Sequence, residues 1–344
     1  HSIGFEAEKE LIEARKKVAN ALNVTPDEIY FTSGGTEANN TAVLGIAEAY
    51  KKRGNKVITS NIEHPSVADS FKELEARGFE VVTLNADEKG YINLEELERE
   101  VDENTILVSI MYVNNEVGTV QPIEKMAEII KSKNKNCIFH TDCVQAFGKH
   151  PINGKHFDAI SVSGHKIHCP KGVGVLYLRK GVRAKNLHFG GGQEKGFRPG
   201  TENTGSIVAM GLGAEIAKRD LEKNFEKVKA VKEKLMTICD ILPDVYVNGD
   251  SENGSPYILN LSFEGVKGEV LLHALENYEI YVATGSACSS RAKEKKKIVD
   301  YLIDGRGSST VRFSFDCENT VEEAEKAIEV LKEQVPMLRM FQPR

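Results

Sequence analysis

The sequence predicts an α/β protein, with a large domain on a mainly parallel central sheet and a smaller α+β domain after it. Three observations carry this expectation. Between Ile29 and Leu178, short apolar, β-branched runs alternate with helix-like stretches, as in successive βαβ units. From Thr204 the character changes to long, charged, amphipathic stretches followed by a few strand-like runs. A length of 344 residues suits about two domains with a sizeable core. We place the expected domains at 1–205 and 206–344.

The elements run in order along the chain. Glu6 to Leu22 has helical spacing. Ile29 to Thr32 is an apolar run that ends in Ser33-Gly34-Gly35-Thr36 and opens a helix reaching about Lys52. Lys56 to Ser60 reads as a strand, Ser66 to Arg77 as a helix, Phe79 to Leu84 as a strand and Asn93 to Val101 as a short helix. Thr105 to Val113 is rich in β-branched residues and reads as a buried strand. Ile123 to Ser132 is helical, and Cys137 to Thr141, Ala159 to Ser163 and Gly174 to Leu178 are strand-like. Ile207 to Leu242 holds the long amphipathic stretches. Strands are then expected at Tyr257 to Phe263, Ile280 to Ala283 and Thr310 to Phe315. The last helix starts at Thr320, where Thr320-Val321-Glu322-Glu323 forms a capping box. Ala292 to Lys297 is a short basic, loop-like run.

Composition excludes several classes. Hydrophobic residues at 40% and charged residues at 28% argue against global disorder. The balance of 45 Lys and Arg against 51 Asp and Glu, net −6, lacks the basic face that direct nucleic-acid binding needs. No run approaches the roughly 18 apolar residues of a membrane span. The six cysteines form no CxxC pair and are too sparse for a disulfide scaffold. Free thiols in a reducing, cytoplasmic compartment are therefore expected.

Three groups of residues point to chemistry. Ser33-Gly34-Gly35-Thr36 lies between a strand and a helix, where outward N–H groups and the helix dipole favour an anion such as a phosphate. Gly35 and Thr36 are the expected contacts, Thr36 adding a hydroxyl; a plain tight turn is the alternative. Lys166, in Ser163-Gly164-His165-Lys166, directly follows a strand, and a lysine so placed can form a Schiff base with an aldehyde. Asp142 ends another strand, with Gln145 three residues later. An aspartate there can pair with a pyridinium nitrogen and keep a pyridoxal 5'-phosphate (PLP) ring protonated as an electron sink. His64, before Pro65 in a strand-to-helix turn, is placed to stack on such a ring. Each group sits at the C-terminal end of an expected strand, where open α/β sheets bind ligands.

These residues also carry a resemblance. Thr32-Ser33-Gly34-Gly35-Thr36-Glu37-Ala38-Asn39-Asn40, Glu63-His64-Pro65, Val113-Asn114-Asn115-Glu116-Val117-Gly118, Ser163-Gly164-His165-Lys166 and Gly285-Ser286-Ala287-Cys288-Ser289 resemble, in this order along nearly the whole chain, the NifS/IscS-like cysteine desulfurases. These are PLP-dependent enzymes of fold type I in the class V aminotransferase group. The resemblance implies that Lys166 is the Schiff-base lysine, Asp142 the pyridinium partner, Gln145 a contact to the ring hydroxyl and His64 the stacking residue. It implies phosphate ligands at Thr36, Ser163 and His165. Asn115 would position cofactor and substrate, Arg312 would grip the substrate carboxylate as a bidentate fork, and Cys288 would be the nucleophile that receives sulfur. Thr201, in Arg198-Pro199-Gly200-Thr201, matches a threonine that reaches the partner subunit's phosphate, so a homodimer is implied. L-cysteine is the implied substrate, and an iron–sulfur scaffold or a tRNA- or thiamine-thiolating protein the implied sulfur acceptor.

The sequence departs from the family pattern in places. The family's opening Asn-Ala-Ala-Thr-Thr segment is absent, and His1 to Phe5 resembles the family's next segment. The stretch from Cys288 to Arg312 is shorter than usual. Cys169 stands where glycine is usual, and Cys143 where a small apolar residue is usual. No metal site is expected. Cys169 raises the question of a second redox thiol near the cofactor, against a tolerated small residue. The rival readings are a selenocysteine lyase, another aminotransferase-fold enzyme, or a degenerate, non-catalytic scaffold.

Overall fold

The computed structural model describes residues 2–285, 298–302 and 305–341. Packing divides the chain into two units: His1–Asn85, Ile92–Val113 and Gln121–Leu221 form the first, and Ala86–Tyr91, Asn114–Val120 and Glu222–Arg344 the second.

The first unit holds β1 (Ile29–Thr32), β2 (Lys56–Ser60), β3 (Glu80–Leu84), β4 (Thr105–Ser109), β5 (Ile138–Asp142), β6 (Ala159–Ser163) and β7 (Gly174–Leu178). Its helices are α1 (Ser2–Leu22), α2 (Gly35–Tyr50), α3 (Pro65–Ala76), α4 (Leu94–Glu100), α5 (Ile123–Lys133) and α6 (Thr204–Arg219). The strands form one sheet in the order β1-β7-β6-β5-β4-β2-β3. β6, β5, β4, β2 and β3 are parallel, whereas β7 runs antiparallel to both β6 and β1. Two reversals restore direction, so β1 points the same way as β6. The C-terminal ends of β1, β2, β4, β5 and β6 therefore share one edge of the sheet.

β2, β4, β5 and β6 are buried along their whole length, as covering of both faces requires of a parallel sheet. Polar side chains in this interior pair across strands. His140 sits between Ser109 Oγ, 2.8 Å from Nδ1, and Ser161 Oγ, 2.9 Å from Nε2. Burial pushes its imidazole down to about 3, so it is neutral.

The second unit contains α7 (Leu221–Met236, whose first residue belongs to the first unit), α8 (Ile238–Ile241), α9 (Gly268–Glu276), α10 (Ile298–Leu302) and α11 (Val321–Met340). Its antiparallel sheet has the order β10-β9-β8, from β8 (Val245–Asn248), β9 (Ile258–Phe263) and β10 (Thr310–Ser314). Leu259, Leu261, Phe263, Val311 and Phe313 of this sheet pack with Leu271, Leu331 and Val335. The capping box at Thr320 is present.

Two expectations are corrected. Ile280 to Ala283 is not a strand: Glu279 has a left-handed φ of 59°, and only Ala283 forms a bridge, to Arg312. The run from Thr105 to Val113 is strand only as far as Ser109. The basic run from Ala292 to Lys297 lies outside the described residues.

Candidate active site

In the first unit the expected residues gather along the shared strand edge. The turn after β1 opens α2 at Gly35. It is tightly packed. A side-chain carbon on Gly35 would come within 2.7 Å of Val144 Cγ2, and one on Gly174 within 2.6 Å of the Gly34 backbone. Glycine at 35 and 174 lets this turn lie against the loop after β5 and the end of β6. The first-turn N–H groups of α2 have no carbonyl within the helix to bond, so the turn is a cradle suited to an anion, with Ser33 and Thr36 exposed on it.

Asp142 closes β5 and is buried. Asn39 Nδ2, on α2, donates to its Oδ2 at 2.7 Å, and Val144 N–H donates to Oδ1 at 2.9 Å. Burial pushes the carboxyl up, and the Val144 and Asn39 bonds and the nearby His64 and Lys166 charges act the other way. A buried carboxyl held by an amide and a peptide N–H gains most from a positive hydrogen-bond donor.

His64 caps α3. Ser66 N–H donates to its Nδ1 at 3.1 Å, and Ser66 Oγ lies 2.8 Å from the same nitrogen. Burial lowers the imidazole's pKa, and the capping bond leaves the neutral ring's proton on Nε2. Pro65 at the first helical position stiffens this turn. Asn39 Nδ2 also donates to Ser66 Oγ at 2.9 Å, so one amide ties Asp142 to the turn that carries His64.

Lys166 follows β6 in a single 3₁₀ turn, Gly164–Ile167, ended by His168 at φ 62°. It is half-buried. Ser163 Oγ and His165 Nδ1 lie 2.8 Å apart. Burial, then the charges of Lys166, Lys171 and Lys149, lower the His165 pKa. Gln145 lies just beyond Asp142, and Thr201 is exposed in the loop before α6.

The second unit brings the remaining described pair together. Arg312 Nη1, on β10, donates to Asn115 O at 2.9 Å. The Asn114–Gly118 turn is self-braced: Asn114 Oδ1 accepts from Glu116 N–H and Val117 N–H, both at 2.9 Å, and Gly118 adopts φ +76°. Asn260 Nδ2 holds Glu116 O at 3.0 Å. Asn115 Oδ1 is buried with no hydrogen-bond partner among the described residues, an acceptor suited to a ligand's donor. Cys288 lies outside the described residues.

The other thiols answer the question the sequence raises. Cys169 Sγ lies 3.4 Å from Ala209 O, and a side-chain carbon on Gly213 would come within 2.4 Å of that sulfur. The thiol therefore fills a space under α6, and burial pushes it up to about 11. Burial likewise raises the Cys143 thiol. Neither is a thiolate at neutral pH, the form that reacts.

Motif reading alone assigned no role to Asn39, Ser66 or Glu63. Glu63 is buried; its Oε1 accepts from Ser60 Oγ at 2.5 Å and Met111 N–H at 2.9 Å, while Oε2 has no partner among the described residues. Burial pushes this carboxyl up to about 8, with the Asp142 charge acting in the same direction.

PLP fits the first-unit residues. The ring nitrogen would supply the positive donor that suits Asp142, the phosphate would meet the Ser33–Thr36 turn, and Lys166 is an amine on the same strand edge. Comparisons with known proteins agree with this chemistry. Residues 1–327 match the Aminotransferase class-V family. The chain is 43% identical over 339 residues to a "NifS/IcsS protein homolog" of Lactobacillus delbrueckii subsp. bulgaricus, covering 97% of this chain and 88% of that protein. It is 41% identical over 349 residues to "Cysteine desulfurase IscS" of Pectobacterium carotovorum subsp. carotovorum, covering 100% of this chain and 85% of that protein. A solved "NIFS-LIKE PROTEIN" superposes with a TM-score of 0.92 at 38% identity, covering 98% of this chain and 90% of the other. The family and fold expected from the motifs are borne out, and the rival enzyme and scaffold readings are not favoured. The chain belongs to the class V aminotransferase family, among the NifS/IscS-like cysteine desulfurases.

Proposed function

We propose that this chain is a PLP-dependent cysteine desulfurase that converts L-cysteine to L-alanine and keeps the sulfur as a persulfide on Cys288. The observation that carries this reading is the 41% identity, over the whole chain, to a protein named for that activity. Bound PLP supplies an electron sink that weakens the bond between sulfur and carbon in an attached amino acid.

The chain's own residues do the rest. Asp142, oriented by Asn39 and Val144 N–H, holds a proton on the ring nitrogen. Lys166 would hold the cofactor through its aldehyde, and its amine, when free, would move a proton to or from the substrate. His64, neutral and fixed by Ser66, stacks on the ring. Gln145 meets the ring hydroxyl. Gly35, Thr36, Ser163 and His165 hold the phosphate, and Thr201 serves the phosphate of a partner subunit in a homodimer. Arg312 grips the substrate carboxylate, and Asn115 orients substrate and cofactor. The Cys288 thiolate attacks the substrate sulfur. The carbon–sulfur bond breaks, a sulfur–sulfur bond forms, and the former thiol-bearing carbon gains a proton, so alanine and persulfide form one for one.

The persulfide would pass to an acceptor protein, an iron–sulfur scaffold or a thiolating enzyme, in the cytoplasm. Among the described residues no helix is long and apolar enough to cross a membrane. The test is to incubate PLP-loaded protein with L-cysteine and a reductant, and measure alanine and sulfide together. Equal amounts are expected from wild type, with none from Cys288→Ala, which still binds cofactor and substrate. Sulfide at the wild-type rate from Cys288→Ala would overturn the persulfide role. Turnover of selenocysteine alone would favour a selenocysteine lyase.

A further inference from the structure

The Ser33–Thr36 cradle contains a contradiction that the structure resolves. One residue after Thr36, Glu37 turns its carboxylate back onto the same turn, and its Oε2 accepts from Ser33 N–H at 2.7 Å. The Glu37 side chain is only 9% exposed, so water screens it poorly. A carboxylate against a phosphate cradle repels the phosphate. Arg198 meets this carboxylate with a two-pronged fork: Nε lies 2.8 Å from Oε1 and Nη2 3.2 Å from Oε2. Burial alone would raise the Glu37 carboxyl; bonds from Arg198 and Ser33 outweigh it and hold the group below its ordinary value. The carboxylate is therefore ionised at neutral pH, and its charge persists unless a cation cancels it.

The Arg198 side chain comes from a braced loop. Arg15 forks onto the buried Glu194, at 2.8 Å and 2.6 Å, and also donates to Ile29 O at 2.6 Å. Glu194 Oε2 in turn accepts from Phe31 N–H at 2.9 Å. The loop is thus tied to β1 just before the cradle, which presets where the Arg198 fork lies.

We propose that Arg198 is a positioning residue for the cofactor phosphate: it cancels the Glu37 charge, so that the turn opening α2 presents a net attraction to a phosphate dianion. The pair would then set the preference for a phosphorylated over an unphosphorylated pyridoxal. This inference rests on the phosphate cradle of the proposed function.

The test measures binding of PLP and of pyridoxal, which lacks the phosphate, to cofactor-free full-length protein by equilibrium dialysis. The proteins are wild type, Arg198→Met, Glu37→Gln and the double variant. Wild type should prefer PLP strongly. Arg198→Met should weaken PLP binding by about 30-fold, the low end of the range for truncating one partner of a buried charge pair because Arg198 is partly exposed, with pyridoxal binding little changed; the latter also reports an intact site. The double variant should recover most of the lost PLP affinity, because it removes the repelling charge along with its partner. A merely structural ion pair gives no such recovery, since the double variant lacks it too. A double variant as weak as Arg198→Met, or an Arg198→Met protein with wild-type preference, would overturn the proposal. Wild type binding PLP and pyridoxal equally would remove the cradle itself, and this inference with it.

Discussion

Asp142 and Asp158 are both buried and stand at opposite edges of the same parallel strands, Asp142 at the end of β5 and Asp158 just before β6. Their surroundings differ. Asp158 is met by Lys131 Nζ at 2.5 Å, Arg179 Nη1 at 3.5 Å and Phe139 N–H at 2.8 Å. Asp142 is held by an amide and a peptide N–H. At the N-terminal edge the fold brings its own cations to a buried carboxylate. At the C-terminal edge it fixes the carboxylate's direction with neutral donors, and in the proposed function the ligand supplies the charge. A buried charge needs compensation wherever it sits; whether the chain or the ligand supplies it separates a structural aspartate from a functional one.

The largest expected effect breaks the comparison at Asp142. Asp142→Asn keeps the shape but loses the charge, and alanine formation should fall by about 10²- to 10³-fold with the unfolding midpoint nearly unchanged. An assay of turnover beside a melt checks both halves. Asp158→Asn should do the reverse. Loss of that charge leaves Lys131 and Arg179 facing a neutral amide, at a cost of about 2–3 kcal/mol, reduced from the fully buried case because both cations are partly exposed. Urea denaturation should register the loss, while turnover per folded molecule stays within about twofold. A stable Asp158→Asn protein with impaired chemistry would reverse the two assignments.

Glu63 sharpens the contrast as a third buried carboxyl, its pKa raised to about 8. The folded protein keeps a proton there that the unfolded chain releases near 4.5, the ordinary value for this group. Stability should therefore fall as pH rises from about 4.5 to about 8, by roughly 1.4 kcal/mol per pH unit in that window. Glu63→Gln has no proton to lose, so its stability relative to wild type should improve steadily from about pH 5 to about pH 8. A difference independent of pH would mean that Glu63 is ionised when folded. The smallest effect concerns the exposed Thr201. Thr201→Ala should weaken both PLP retention and dimer stability by about 1 kcal/mol, one hydrogen bond's worth, in sedimentation across a dilution series with and without PLP. A fully loaded monomer would defeat the shared-site reading.

Much of this was legible in the sequence, because the C-terminal edge of a parallel sheet follows from local order: strand, special turn, helix. Ser33 to Thr36, Asp142 and Lys166 each stand at or just after a strand's end, so their shared edge follows once strand direction is known. Asn39 was not legible in the same way. It lies within a helix, and its bonds to Asp142 and Ser66 exist only after α2, α3 and β5 converge. Cys169 was ambiguous because its neighbours, Ala209 and Gly213, are about 40 residues away in the chain. Asn114–Val120 packs with the second unit although strand–helix alternation continues on either side. Ile280 to Ala283 misled because an apolar run says nothing of the left-handed residue before it.

The proposed pairing of Asp142 with the cofactor is tested most directly by the protonation state of the ring nitrogen in bound PLP, read by NMR with an isotope-labelled ring at neutral pH. A protonated nitrogen is expected in wild type, with its proton coupled to the ring, and an unprotonated one in Asp142→Asn. An unprotonated nitrogen in wild type, or a protonated one in Asp142→Asn, would contradict the role given to this carboxylate.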